Sequence, residues 1–304
     1  MPDPLAEAIL KTLNYADLFD YALTREQVFQ FLIGTRAERA DIDRALDDPA
    51  RLNGSVLRID GLLALPRRQA LAAARARWRA AAHQQMPRAR FYARIIAHFP
   101  FVRMVALTGG LAMENARDND IDFLIVTAPR RLWLVRGLAV ALVRLARLHG
   151  DHICPNFLIT TNALKIPDEN LYTAHEVFQM IPLYGLETYQ RLRQINAWAN
   201  EYLPNADGVD ALSNEKPLSR AGVLLKRAVE RVLSSAIGDF IERWEMTRKI
   251  ARLTAQIASN ADTVAFSEEV CRGFFSGYGQ RTLAKFDARV KQMQFTTDTT
   301  YLNL

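Results

Sequence analysis

The chain has 304 residues, half of them apolar and 24% charged, with 39 Lys and Arg against 33 Asp and Glu for a net charge of +6. This composition excludes a disordered or low-complexity chain, and a length prior of roughly 150 residues per domain predicts about two domains. The excess of cations leaves nucleotides, nucleic acid and acidic surfaces open as partners, while Cys154 and Cys271 form no CxxC, so neither a disulfide framework nor a zinc site is indicated and a reducing cytoplasm is expected.

The first residues, MPDPLAEAILKTLNYADLF, carry acids where a secretory leader carries cations. Residues 4 to 19 predict a helix with Leu5, Ile9, Leu13 and Leu18 on one face. Thr24 followed by Gln27 is a capping-box pattern that starts a second helix, and Gly34 closes it. A third helix is expected around Ile42 and Leu46. The period then changes to two, and SVLRIDGLLALP reads as a hairpin turning at Asp60-Gly61. Three helices and a two-stranded wing predict a winged-helix-like domain over 1–66. Such domains bind DNA when the third helix is basic. Here Glu38, Asp41, Asp43, Asp47 and Asp48 outnumber Arg36, Arg39 and Arg44, which favours a packing or protein-contact role and leaves DNA binding as the less favoured alternative.

Residues 67–98 predict an Arg-rich helical connector broken at Pro87, whose exposed face suits either solvent or a polyanion; His83 and His98 are expected at the surface. Next, RMVALTGG reads as a strand from Val102 to Leu107 that turns at Thr108-Gly109-Gly110 into a short helix near Leu111. Glycines there let backbone N–H groups approach a phosphate closely. A second strand opens at Asp120. Side chains alternate along a strand, so Asp120 and Asp122 share one face and Ile121 takes the other. Paired carboxylates repel unless a cation lies between them, and Mg²⁺ (or Mn²⁺) with a substrate's phosphates is the natural occupant.

A crossover helix over 130–149 contains the most lipophilic stretch, but Arg136, Arg144 and Arg147 interrupt it, so no membrane span and no membrane partner is expected. HICPNFLIT is the third strand. Beyond 165 the chain reads as helical, with His175, Glu176 and Gln179 on adjacent turns, loops at NEKPLS (214–219) and RGFFSGYGQR (272–281), and a long amphipathic helix or helix pair between them.

A Gly-Gly turn, about ten residues, and Asp-x-Asp opening a hydrophobic strand resemble the signature of the polymerase-β-like nucleotidyltransferase superfamily. YADLFDYALT, ALTGGLAMENA, CPNFLIT and YTAHEVFQMIPLYG are similar to uncharacterised bacterial nucleotidyltransferase-domain proteins. The resemblance implies an α+β fold: a small mixed-sheet catalytic core over 99–165 flanked by helices, the N-terminal winged-helix-like domain, and a helical C-terminal region over 166–304. It also implies a site in which Asp120 and Asp122 hold Mg²⁺, Thr108, Gly109 and Gly110 hold the phosphates of an NTP, and an NMP passes to an unknown acceptor, which is a small molecule, protein or nucleic acid. Three departures stand out. Gly110 replaces a serine, Glu114 and Asn115 stand where an arginine often follows, and Asn156 occupies the strand that usually offers a third carboxylate. Asn156 can coordinate but cannot act as a base, Asp151 lies upstream of the strand, and Glu176 is either the missing acid near the nucleotide or, as the more ordinary reading, a structural cap or surface residue. A weakened transferase pocket that only binds or senses a nucleotide is the second reading.

Overall fold

The computed structural model describes residues 3–206, 217–257, 266–272 and 277–301. It is a mixed α+β structure with two small sheets. The N-terminal unit runs α1 (Pro4–Asp17), β1 (Leu23–Thr24), α2 (Arg25–Gln30), α3 (Arg39–Asp47), β2 (Leu57–Ile59) and β3 (Leu62–Ala64). Thr24 forms the reciprocal capping box with Gln27 that starts α2. The hairpin turns at Asp60 and Gly61, both at positive φ, and pairs Ile59 with Leu62. One strand had no sequence signal: β1 joins the hairpin through Leu23↔Leu63, because two residues are too few to show a period. Ile9, Leu13, Val28, Leu32, Ile42 and Leu46 fill the centre of this unit.

The connector is one unbroken helix, α4 (Ala70–Ala97), with Pro87 inside it. The expected break is therefore absent. Ala82, Ala89, Ala93 and Ile96 pack on the main sheet from both sides of Pro87, and that burial offsets the single backbone hydrogen bond a proline removes.

The main sheet has the order β7-β4-β5-β6-β8. β4 (Val102–Thr108) and β5 (Asp120–Thr127) are antiparallel, β6 (His152–Thr160) lies parallel to β5, and α6 (Leu132–Leu148) supplies the crossover between them. Residues beyond 165 are not purely helical. After α7 (Leu171–Gln179), β7 (Ile181–Tyr184) pairs with β4, and β8 (Val270–Arg272) pairs with β6. Both are short strands on the edges of the sheet, where three or four residues suffice and where Pro182 is tolerated. Helices α8 (Leu186–Ile195), α9 (Ala199–Tyr202), α10 (Arg220–Leu233), α11 (Ala236–Ile257) and α12 (Tyr278–Tyr301) complete the described chain. The 214–219 loop falls partly, and the centre of the 272–281 loop wholly, outside the described residues.

Alternation along the strands sorts the core into two layers. Val105, Leu107, Phe123 and Ile125 face α4 and α6, whereas Met104, Ala106, Leu124 and Val126 face Met180, Tyr189 and Leu192. Asp122 shares its face with Leu124 and Val126. Its carboxylate therefore points to the side covered by the segment that begins with α7.

Candidate nucleotide and metal site

Three elements meet where β4 ends. β4 passes into the four-residue helix α5 (Gly109–Ala112), which starts at Gly109 rather than near Leu111. Thr108 lies opposite Asp122 in the sheet, so both side chains project from the same face. The glycine pair is required sterically. Gly109 sits at φ +67°, and a Cβ there would meet the Asp122 carboxylate closer than any ordinary contact. A Cβ on Gly110 would lie 2.7 Å from the carbonyl oxygen of Asn115. The Thr108 side chain does not cap α5, so the turn's N–H groups are left to other partners.

On β6, Asp122 pairs with Cys154 but Leu124 pairs with Phe157, so one extra residue is accommodated between them. Pro155 stands in that bulge, where its missing N–H does no harm. The bulge brings Asn156 to Asp122, and the Asn156 amide donates to Asp122 Oδ1. Asn156 thus faces Asp122 from the strand on which the resemblance implies a third carboxylate. Asp151 is committed elsewhere, to Tyr92 Oη at 2.7 Å and Arg88 at 3.1 Å.

Glu176 reaches the same place from α7. It lines, with Gly109, Gly110, Asp118, Asp122 and Tyr172, a cavity of about 570 Å³. Burial raises the Asp122 carboxyl to about 7, helped by the charges of Asp120, Asp118 and Glu176; the Asn156 hydrogen bond opposes this. Burial likewise raises Glu176, against the opposing effects of Arg272 and a hydrogen bond with Tyr172. Among the described residues no Lys, Arg or His forms an ion pair with Asp118, Asp120 or Asp122. Nor do three His, Cys, Asp or Glu side chains converge as a ready-made metal cage. Asp120 is exposed at the strand's start and does not line the cavity, whereas Asp118 does. Asp118 lies in the turn before β5, where no period marks a side chain's direction.

The other end of the cavity is aromatic and comes from the N-terminal unit. Tyr15, Phe19, Tyr21 and Phe31 face Tyr172 and Tyr278 across it. His175 is a core residue: it stacks on Tyr15 at 4.1 Å between centroids, its Nδ1 lies 2.9 Å from the Leu171 carbonyl, and burial lowers its pKa to about 4. His83 is exposed beside Glu114, and His98 is half-buried with its Nδ1 on the Arg94 carbonyl. Glu114 is held by Arg75, Arg79 and His83. Asn115 is 8% exposed, lines the cavity, and its Oδ1 lacks a partner. At the mouth, Arg117 pairs with Asp20 and lies 5.0 Å over the Trp78 ring.

No family model, no curated protein and no solved structure matches the chain.

Proposed function

We propose that this chain is a divalent-metal-dependent nucleotidyltransferase with a polymerase-β-like core, moving an NMP from an NTP to an acceptor. One observation carries the reading: Asp122, with Asp118, Asp120 and Glu176 around it, is a concentration of negative charge whose three aspartates have no basic ion-pair partner among the described residues, set directly against a glycine turn. A carboxyl raised to about 7 by burial, and further by neighbouring carboxylates, has the electrostatics of a cation site. Asp120 and Asp122 would hold the ion and the triphosphate would complete its shell, as suits Mg²⁺, which needs one or two carboxylates and not a full cage. The ion, Mg²⁺ or Mn²⁺, supplies Lewis-acid stabilisation of charge on the phosphates.

The chain's own groups divide the remaining work. Backbone N–H groups of Gly109 and Gly110 approach phosphate oxygens, with Thr108 beside them. The acceptor oxygen forms a bond to the α-phosphorus, the bond to the β-phosphate bridge breaks, pyrophosphate leaves, and Glu176 accepts the acceptor's proton. Glu176 thereby fills the role that Asn156 lacks. Asn156 positions Asp122 by donating its amide N–H, and with the amide turned over it would instead present its carbonyl oxygen to a bound ion. The aromatic end takes the base or an acceptor ring.

The N-terminal unit, with its helix-strand-helix-helix-hairpin order, is read as a winged-helix-like domain used as a cavity wall. Arg39 and Arg44 of α3 already pair with Glu26 and Asp41, and Asp43 and Asp47 pair with Arg25, which leaves little cationic surface for a DNA backbone.

Incubation with α-labelled NTPs, Mn²⁺ or Mg²⁺ and cell extract tests the proposal. Label is expected on an acceptor with the wild-type chain and at least ~100-fold less with Asp122→Asn. The Asn156 amide in place of a carboxylate favours the second reading, a nucleotide-binding module. Saturable NTP binding without transfer under every condition would establish that alternative.

A further inference from the structure

Helices α10 and α11 turn charged side chains to the body and leave much of their apolar surface outside. In α10 the residues turned to the body are polar: Lys226, 7% exposed, donates to the carbonyls of Ala97 and Val102 at 2.7 Å, and Glu230 accepts the Phe101 N–H at 2.6 Å and binds Arg103. In α11, Glu242 accepts the N–H groups of Trp133 and Leu134 at the start of α6, and Glu245 is buried beside it. Leu233 of α10 and Ile241, Met246 and Ile250 of α11 pack on the core, but a second set of large apolar residues faces away. Leu224, Leu225, Val232, Ile237, Phe240 and Trp244 are 52–66% exposed. A helix pair that leaves six large apolar side chains in one exposed strip has a second contact to make.

The charges along this face are of one sign. The four acids of the pair that the structure describes bonding, Glu230, Asp239, Glu242 and Glu245, are engaged with the body or with basic neighbours. Outward stand Arg220, Arg227 and Arg231 on α10, and Arg243 and Arg248 flank the Phe240-Trp244 strip of α11. Next to the apolar row of α10 opens a cleft of about 620 Å³ lined by Arg103, Arg130, Arg131, Arg227 and Arg231 against only Glu230 and Asp239. Arg227 and Arg231 have no carboxylate partner among the described residues, and the buried Nε of Arg131 has no hydrogen-bond partner. The cleft sits at the Val102 end of β4, seven residues and roughly 20 Å along the sheet from Asp122.

We propose that the α10–α11 face docks in the plane of an anionic phospholipid surface, its apolar strip entering the acyl boundary and the arginine cleft receiving a lipid phosphate. Charge complementarity selects this occupant: a two-fold contact with a second copy would bring arginines against arginines, whereas anionic lipid supplies a counter-charge to Arg227 and Arg231 and adds to the single carboxylates that Arg103, Arg130, Arg131 and Arg248 already share. Among the described residues no helix is long and apolar enough to cross a membrane, and in-plane docking requires none. The expectation of no membrane partner rested on the lack of a span, a separate question from a peripheral contact.

Sedimentation of the 304-residue chain with vesicles of phosphatidylcholine alone, or with one quarter phosphatidylglycerol, tests this. Binding to the anionic vesicles is expected to be at least ~10-fold stronger than to neutral ones, to fall with salt, and to drop ~10-fold in the Phe240→Ser, Trp244→Ser variant. Both positions are exposed, so that variant keeps the wild-type melting curve. Arg227→Gln, Arg231→Gln is expected to lose the anionic preference. Three results overturn the proposal: no vesicle binding by the folded chain, unchanged binding by the serine variant, or a concentration-dependent dimer dissolved by that variant. Pyrophosphate bound at the cleft without vesicle affinity also overturns it, in favour of a soluble anion.

Discussion

Asp122 is the residue on which the proposed chemistry turns, and its protonation gives a signed prediction. Its folded pKa is raised to about 7 from 3.8, so the folded state holds the proton more tightly than the unfolded chain. Its contribution to stability is present below pH 4 and is lost as pH rises through 7. His175, lowered to about 4, acts in the opposite sense, its contribution being lost as pH falls below 6.5. The Asp122 effect is therefore read as a difference: without metal, Asp122→Asn is expected to gain stability relative to wild type between pH 4 and 8 in thermal melts. Mg²⁺ is expected to raise the wild-type melting temperature more at pH 8 than at pH 5.5, and to leave Asp122→Asn unmoved. Gly109→Ala tests the turn. Positive φ and the collision with Asp122 together predict a loss of about 1–3 kcal/mol in denaturant titration and loss of NTP affinity.

At the scale of elements, local chemistry and long-range pairing separate clearly. Removing the Thr24 hydroxyl, whose oxygen accepts the Gln27 N–H, leaves an orphan donor at the start of α2. Thr24→Ala is expected to cost about 1 kcal/mol with an unchanged denaturant slope. Elements of this kind were legible in the sequence: the capping box, the Asp60-Gly61 hairpin, and strands β5 and β6 at their observed boundaries. Pro87 and β7 were not. A proline's cost is set by how much burial opposes it, and IPLY is too short to distinguish a strand from a helix until β4 presents an edge to it.

The whole molecule is stitched across its units by side chains that also wall the cavity. Tyr15 and Phe31 of the N-terminal unit pack with Ala174, Phe178 and Phe286 of the C-terminal helices. Tyr21 Oη donates to the Met113 carbonyl beside the glycine turn and accepts from Arg75 at 2.7 Å. One calorimetric unfolding transition is therefore expected, not one per unit. Tyr15→Ala, which removes a shared ring, is expected to destabilise the chain by about 3–5 kcal/mol and to weaken NTP binding together with stability.

Sequence alone determined what neighbouring residues decide among themselves: the glycine turn, two aspartates on one strand face, the capped helices, and the presence of an asparagine where an acid is expected. Only the tertiary structure decided which distant groups share that space. It put Glu176 and Asp118 beside Asp122, left Asp120 at the rim, and made the N-terminal unit the wall of the cavity. It also left Leu224, Leu225 and Val232 of α10 and Ile237, Phe240 and Trp244 of α11 exposed, although their period alone predicts an ordinary packing face. The physical reason is the same in each case: local propensity and alternation act over a few residues, whereas the field at a carboxylate and the side a helix buries depend on what the rest of the chain brings against it.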